Sequence, residues 1–300
     1  MLTQVHLLLT YACTFECDHC FIYCSPRAKG TYTLAQVREV LAQARRLGTV
    51  EWIYFEGGEP FLYYPVLLEG LRLARDQGFE TGLVTNCYWA TAREDAMLWL
   101  GPLAKTGIGD LSVSSDTLHH GDADPSPADI AAGAGTELGL PVEAICIEKP
   151  TVVPTQPTGK GDPVVGGGAL FKGRAADKLA QGLPTRPACS FNACTHEELV
   201  APRRVHVDAF GHVQVCQGVS IGNLWQTPLH EIISRYDVAS HPICGPLHHG
   251  GPAELARVHG VALEGQFVDE CHHCFTVRRA LLDRFPEQLT PRQVYGLEQE

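Results

Sequence analysis

The stretch Cys13-Thr-Phe-Glu-Cys17-Asp-His-Cys20-Phe21 places three cysteines on one short loop, directly after the apolar run Val5–Thr10. That run is too short for a helix and suits a strand buried on both faces. Three thiolates on one loop can bind three corners of an iron–sulfur cubane and leave the fourth iron open. Zinc is the alternative, since tetrahedral zinc takes four cysteines and Cys24 can supply the fourth.

Outward from this loop, strand and helix patterns alternate over the first half of the chain. Helices are predicted after Thr33, from Pro65, after Thr91 and over Asp129–Leu138, and strands over Val50–Phe55, Phe79–Thr85, Asp110–Ser114, Pro141–Ile147 and Val164–Leu170, with loops at 119–128 and Pro150–Pro163. The connections are too long for hairpins, so the sheet should be parallel and flanked by helices. We therefore predict an α/β fold, a partial (β/α)6-type parallel barrel over residues 1–185, with binding residues at the carboxyl ends of its strands.

The second predicted strand ends in Gly57-Gly58-Glu59-Pro60. C-x3-C-x2-C after the first strand and GGEP after the second, in this order, make residues 2–148 similar to the radical S-adenosylmethionine (SAM) superfamily. The resemblance implies a [4Fe–4S] cluster on Cys13, Cys17 and Cys20 whose open iron binds SAM. A fourth ligand would block SAM, so Cys24 is interpreted as a non-ligand. His19 stands where many members have Tyr or Phe.

The resemblance also implies SAM contacts at the strand ends. The candidates are Gly57, Gly58, Glu59, Pro60, Asn86, Ser114 and Asp116. Glycines let the backbone come close to a ligand, and proline fixes the turn. Backbone carbonyls and Glu59 can accept hydrogen bonds from the SAM ammonium. For Asn86, Ser114 and Asp116, a purely structural role at the strand end stays open.

The last third of the chain holds a second group of cysteines. A β-hairpin is predicted over Arg204–Asp208 and His212–Cys216, and helices over Pro228–Tyr236 and Cys271–Phe285. The order Cys, G-x4-C, C-x2-C resembles the SPASM and twitch auxiliary-cluster domains. It implies a small cysteine-rich α+β domain over residues 186–300.

The candidate ligands of one auxiliary [4Fe–4S] cluster are Cys194, Cys216, Cys271 and Cys274. No cysteine follows Cys274, which favours one cluster over two, and zinc is again the alternative. Cys189 competes with Cys194 for one position, and Cys244 is left over. Cys194 is preferred because Thr195–Leu199 is predicted to begin a helical turn, whose N-terminus would stabilise the thiolate.

Cys87 and Cys146 stand alone after the third and fifth strands. Free cysteines are usually buried apolar residues. The alternative is that they face the barrel mouth as hydrogen-atom donors. None of the 14 histidines forms a metal-binding spacing such as H-x-x-x-H, and most are expected to be solvated.

Composition restricts the remaining function classes. The 300 residues are 45% apolar, which allows a sizeable core, and the net charge of −11 argues against a broad nucleic-acid or anionic-membrane surface. No apolar run is long enough to span a membrane. The N-terminus reads as a strand, not a signal peptide. A cytoplasmic location follows as an expectation, with the 12 cysteines available for metal because disulfides do not persist there.

The resemblance implies an enzyme that cleaves SAM reductively to a 5′-deoxyadenosyl radical, which abstracts hydrogen from a substrate. The auxiliary cluster would make the net reaction oxidative, and the electron donor would be a flavodoxin or ferredoxin. The first strand begins almost at Met1, so we expect no peptide-recognition domain before it. The sequence therefore favours neither a peptide nor a small-molecule substrate. The alternative class is a non-catalytic zinc or Fe–S binding module.

Overall fold

The computed structural model describes residues 1–153, 164–262 and 265–297. The strands are β1 (Gln4–Thr10), β2 (Trp52–Gly57), β3 (Glu80–Thr85), β4 (Asp110–Ser114), β5 (Val142–Ile145), β6 (Thr151–Val153), β7 (Val164–Gly166), β8 (Arg186–Pro187), β9 (Arg204–Asp208), β10 (His212–Cys216), β11 (Val219–Asn223) and β12 (Gln266–Phe267). The α-helices are α1 (Leu34–Leu47), α2 (Tyr64–Asp76), α3 (Arg93–Ala104), α4 (Thr117–His120), α5 (Pro127–Glu137), α6 (Arg174–Lys178), α7 (Leu229–Arg235), α8 (Cys244–His259) and α9 (Glu270–Ala280). Short 3-10 helices cover Pro60–Tyr63, Ala188–Ser190 and Arg292–Tyr295.

One eight-stranded sheet organises the molecule, in the order β11-β10-β9-β1-β2-β3-β4-β5. The strands from β9 to β5 in this order are all parallel, and β10 and β11 join as antiparallel neighbours. The predicted α/β fold with a parallel-dominated sheet is confirmed. β9 pairs with the free side of β1, Gln4 opposite Arg204 and Leu8 opposite Asp208. The last third of the chain therefore extends the same sheet.

The predicted sixth strand over Val164–Leu170 is present only over Val164–Gly166, and it does not join the parallel sheet. β7 ends at Gly166 and pairs antiparallel with β6 in a separate two-stranded sheet. Gly167 and Gly168 both have positive φ, which interrupts an extended strand at this point. Part of the predicted loop 150–163 is thus strand β6, and its residues 154–163 lie outside the described residues.

The helices of the first half follow local signals. The predicted helix after Thr33 is α1: Thr33 and Gln36 form a capping box at its start, and it ends at Gly48 in the left-handed region. Thr91 does not cap α3, because its hydroxyl donates to Asp95 instead. The predicted loop 119–128 begins inside a helical turn, α4, which Asp116 caps.

The C-terminal third contains the predicted hairpin of β9 and β10, together with α7 and α9. Helix α8 was not predicted, because Gly250, Gly251 and Pro252 disrupt its pattern, and the helix is kinked at the two glycines. The expected helical turn over Thr195–Leu199 is wrong, since these residues adopt irregular structure. No helix in the described part of the chain has the length and apolar character needed to cross a membrane.

Candidate active site

A cavity of about 300 Å³ lies at the carboxyl ends of the parallel strands. Of the predicted site residues, Cys13, Cys17, Cys20, Gly57, Gly58, Asn86, Ser114 and Asp116 line it. Cys24 also lines it, together with Glu56, His19 and His119. The side chains of Glu59 and Pro60 are buried beneath the cavity wall instead.

The cysteine loop is held from two sides. Cys13 donates its N–H to the carbonyl of Ser25 at 3.0 Å within the loop. From α6, the buried guanidinium of Arg174 donates to the carbonyls of Cys17 at 2.8 Å and Cys24 at 2.7 Å. Sequence analysis missed Arg174, since nothing near it in the chain points to a loop so far away.

The thiols on this loop differ in acidity. Burial raises the pKa of Cys13 to about 11 and that of Cys17 to about 12. A hydrogen bond from the Cys24 thiol lowers the pKa of Cys20 to about 6. The backbone N–H of Cys24 also donates to Cys20 Sγ at 3.3 Å. Cys24 is therefore placed to support a neighbouring thiolate through hydrogen bonds.

The spread of the thiols bears on which metal group they fit. Among the described residues, no group of three ligand side chains with donor atoms all within 4.8 Å of one another contains a cysteine. A zinc ion with Zn–S bonds of about 2.3 Å would hold its sulfurs about 3.8 Å apart. In this arrangement, no three thiols of the described residues lie close enough together to share one zinc ion. A cluster in which each thiolate binds a different iron does not require its sulfurs to be that close.

The GGEP turn packs directly on the backbone of the cysteine loop. Gly58 N–H donates to Thr10 O at 2.7 Å, and Glu59 N–H donates to Ala12 O at 2.9 Å. A Cβ atom on Gly57 would overlap Thr10 O, and one on Gly58 would overlap Ala12 O. These glycines are therefore needed for the approach of two protein segments, whatever ligand the turn also contacts.

Glu59 ties this turn to the end of β3. Its fully buried carboxylate accepts from the N–H groups of Phe61 at 3.0 Å and Asn86 at 2.7 Å, and from the Thr85 hydroxyl at 3.0 Å. Burial raises the pKa of Glu59 to about 7 even though all three donors favour the ionised form. Glu59 thus positions the turn and Asn86.

Asn86 connects this network to the first cysteine. Its side-chain amide donates to Cys13 Sγ at 3.4 Å and to the Thr14 hydroxyl at 3.2 Å. Its carbonyl oxygen accepts from Tyr88 N–H at 3.0 Å. The orientation of Asn86 is fixed, and its N–H bond points at a candidate cluster ligand.

The end of β4 carries a polar group with two histidines. Asp116 accepts from the backbone N–H of His119 at 2.9 Å and lies 2.9 Å from its Nδ1. Burial alone would raise the pKa of Asp116, but His119 holds it below its usual value. The carbonyl of Ser114 contacts His120 Nε2 at 2.8 Å. His19 lies edge-on to His119 with ring centroids 4.6 Å apart, and burial lowers its pKa to about 4.

The second group of cysteines converges on a separate, smaller cavity. Its lining includes all four candidate ligands: Cys194, Cys216, Cys271 and Cys274. Cys189 is exposed and does not line it, and Cys244 is fully buried outside the lining. No helix begins at Thr195, and burial raises the pKa of the Cys194 thiol.

Two buried cations accompany these four thiols. Lys172 donates to Cys216 Sγ at 3.6 Å, and Arg278 donates to the same sulfur at 4.0 Å. Lys172 is 3% exposed and Arg278 is 1% exposed. A cluster held by four thiolates is anionic, so the two cations would offset its charge. As at the first site, the thiols are spread more widely than a single zinc ion allows.

The remaining predicted residues lie away from both cavities. Cys87 is fully buried with its thiol against Thr85 O at 3.7 Å. Cys146 follows the end of β5, is exposed and, unlike Ile145 and Ile147, does not line the larger cavity. The expectation that most histidines are solvated fails at several positions. The buried histidines are His6, His19, His206 and His273.

Comparison with known proteins agrees with this geometry. Residues 7–120 match the family model of the radical SAM superfamily. YydG of Bacillus subtilis (strain 168), whose name assigns it to peptide biosynthesis, is 25% identical over 115 residues, 38% of this chain and 36% of its own length. The PqqA peptide cyclase of Streptomyces rochei is 33% identical over 130 residues, 42% of this chain and 32% of its own length.

The matched segments span about a third of the length of these curated relatives. The crystal structure of BtrN in complex with AdoMet and 2-DOIA shares the fold, with a TM-score of 0.51, 17% identity, and coverage of 78% of this chain and 82% of BtrN. The family model and the curated relatives thus show that the N-terminal part of this chain is similar to the radical SAM superfamily.

Proposed function

We propose that this chain is a radical SAM enzyme that uses two [4Fe–4S] clusters to oxidise a peptide substrate. The observation that carries the proposal is the pair of cysteine groups. Each group lines its own cavity, and each is spread more widely than one zinc ion allows. A zinc-binding module without turnover is disfavoured by the same spacing and by the family match of residues 7–120.

At the first site, Cys13, Cys17 and Cys20 would hold a cluster whose remaining iron binds SAM. When bound, the cluster and SAM supply a 5′-deoxyadenosyl radical that abstracts hydrogen from the substrate. The chain itself supplies the walls of the cavity, the hydrogen bond from Asn86 to Cys13 and the second-layer bonds from Cys24. Gly57, Gly58, Ser114 and Asp116 line the same cavity and are proposed as SAM contacts.

At the second site, Cys194, Cys216, Cys271 and Cys274 would hold the auxiliary cluster, with Lys172 and Arg278 offsetting its charge. The auxiliary cluster would accept one electron, which would make the net reaction oxidative. A cytoplasmic flavodoxin or ferredoxin would donate the initiating electron. Two curated relatives are named for peptide chemistry, and this supports a peptide as the proposed substrate class.

Iron content and SAM cleavage test the proposal together. Anaerobically reconstituted wild type should bind about eight irons, and a Cys13, Cys17 and Cys20 triple alanine variant about four. Reduced wild type should release 5′-deoxyadenosine, and the triple variant none. Cys146→Ala is the matched control, because Cys146 lies outside both cavities and should change neither result. Colourless wild type that retains zinc instead of iron would refute the proposal.

The auxiliary site has its own paired test. Cys194→Ala should lower the iron content from about eight to about four, whereas Cys189→Ala should retain all of it. SAM cleavage should survive in both variants. With a peptide substrate in hand, loss of two hydrogens from the peptide should fail only in Cys194→Ala. Iron loss in Cys189→Ala alone would overturn the ligand assignment.

A further inference from the structure

Three ligand-type side chains meet on the sheet beside the candidate active site. His6 is on β1, Glu56 on β2 and His206 on β9, three adjacent parallel strands. One donor atom from each lies within 4.8 Å of the other two. Only Glu56 of the three lines the large cavity, so the group lies behind its wall.

Both histidines are removed from solvent. His6 is 7% exposed and His206 is 3% exposed. His6 Nδ1 lies 3.3 Å from Glu56 Oε2, and His206 Nε2 lies 3.1 Å from Glu56 Oε1. His6 Nδ1 nevertheless has no hydrogen-bond partner. Two imidazoles thus crowd one carboxylate within ion-pair distance.

The two ring nitrogens of His6 have different neighbours. Its Nε2 is 3.4 Å from Gln4 Oε1. Its Nδ1 is the nitrogen that faces the Glu56 carboxylate.

The neighbours of His206 orient its contact with Gln217. Gln217 Oε1 accepts from Lys172 Nζ at 2.7 Å, because a lysine ammonium can only donate. The NH2 end of Gln217 is then the end that lies 3.1 Å from His206 Nε2. His206 Nε2 therefore accepts from Gln217 while it also lies near Glu56. One nitrogen of each imidazole and the Glu56 carboxylate thus meet in one buried group.

We propose that His6, Glu56 and His206 bind a divalent first-row transition-metal ion, separately from both cysteine groups. Metal–ligand bonds of about 2.1 Å place adjacent ligand atoms roughly 3 Å apart, which agrees with the contacts of 3.3 Å and 3.1 Å. Two imidazoles and a carboxylate suit Mn²⁺, Fe²⁺ or Zn²⁺. The ion would take the His206 lone pair from Gln217 and cross-link β9 to β1 and β2.

A second trio, His19, Asp116 and His119, meets the same distance criterion. Its carboxylate already accepts from the His119 backbone N–H and lies 2.9 Å from the His119 ring. Because the Asp116 carboxylate already has these partners within the protein, this trio serves as the internal control.

Mn²⁺ is a suitable probe, because it prefers oxygen and nitrogen donors to thiolates and gives an EPR signal. The full chain with both clusters reconstituted and oxidised would be titrated with Mn²⁺. We expect one tightly bound Mn²⁺ per chain, with iron content unchanged. Glu56→Gln should weaken binding by at least about 100-fold, since it removes the anionic ligand. Asp116→Asn should leave binding unchanged.

His6→Phe provides a second variant if Glu56→Gln fails to fold, because a phenyl ring can keep the stack on Tyr54, 4.4 Å away. It should also abolish tight Mn²⁺ binding while the thermal unfolding transition stays cooperative. Folded wild type that binds no Mn²⁺ at millimolar concentration would overturn the proposal and leave proton-bridged ion pairs. Loss of binding in Asp116→Asn with retention in Glu56→Gln would equally overturn it. Because the cluster irons are counted in parallel, failure here is separable from failure of the proposed enzyme function.

Discussion

Asn86 shows how a single side chain can act on a cluster that it does not ligate. Hydrogen bonds to cluster sulfurs help to set reduction potential. We expect Asn86→Ala to lower the midpoint potential of the SAM-binding cluster by an amount on the order of tens of millivolts, because one N–H donor to Cys13 is lost. An EPR-monitored redox titration measures this.

Thr14→Ala is the matched control for Asn86. It removes the other partner of the same amide and leaves the bond to Cys13 in place. Its potential should match wild type. Equal potentials in Asn86→Ala and wild type would contradict a role for Asn86 in tuning the cluster.

Glu59 gives a pH dependence with a defined sign. Its pKa rises from an ordinary value near 4.5 to about 7 in the folded chain, so the native state holds a proton that the unfolded state has released. The contribution of Glu59 to the free energy of unfolding is therefore fully present below pH 4.5. This contribution falls by on the order of 3 kcal/mol as the pH rises to 7. The unfolding free energy of the cluster-free, reduced chain should show this loss.

Glu59→Gln isolates the Glu59 contribution to that pH dependence. The unfolding free energy of wild type minus that of the variant should fall between pH 4.5 and 7, as other titrating groups cancel in the difference. A difference that stays constant over this range would show that Glu59 does not titrate as its burial implies.

At the level of elements, the GGEP turn depends on two backbones in contact. Gly58→Ala should destabilise the chain by about 3 kcal/mol or more, because its Cβ would overlap the Ala12 carbonyl and neither segment can yield. Chemical denaturation measures the change. Gly133→Ala in α5 is the control, since its Cβ would meet nothing within 4 Å, and it should gain roughly 0.5–1 kcal/mol. Similar effects in both variants would contradict the packing argument.

Elements defined by neighbours in sequence were predictable, and those defined by distant partners were not. The start of α1 after Thr33 depends on a local capping interaction and was predicted. β11 and α8 were missed because glycines mask their patterns. Arg174 was missed because its partners, the carbonyls of Cys17 and Cys24, lie some 150 residues away.

The same limit applies to the sites. Both cysteine groups were recognised because each has a characteristic spacing in the chain. The group of His6, Glu56 and His206 has none, since three strands assemble it only in the folded sheet. His6 and His206 are therefore buried, although most histidines were expected to be solvated.

For the whole molecule, β9 makes the two halves interdependent. A fragment of residues 1–185 lacks β9, so β1 would become an unpaired edge of apolar residues. We expect this fragment to aggregate when expressed alone, as measured by size-exclusion chromatography. Co-expression with residues 186–300 should restore soluble material. A monomeric fragment that unfolds cooperatively would contradict this expectation.

The pairing of Gln4 with Arg204 also affects the order of events during synthesis of the chain. At about 5–20 residues per second, a ribosome needs roughly 10 s or more to make the chain between the two strands. For most of that interval, neither Arg174, which holds the loop with Cys13, Cys17 and Cys20, nor β9 has been made. The nascent chain therefore carries its first cysteine group for several seconds before the fold around that group can be completed.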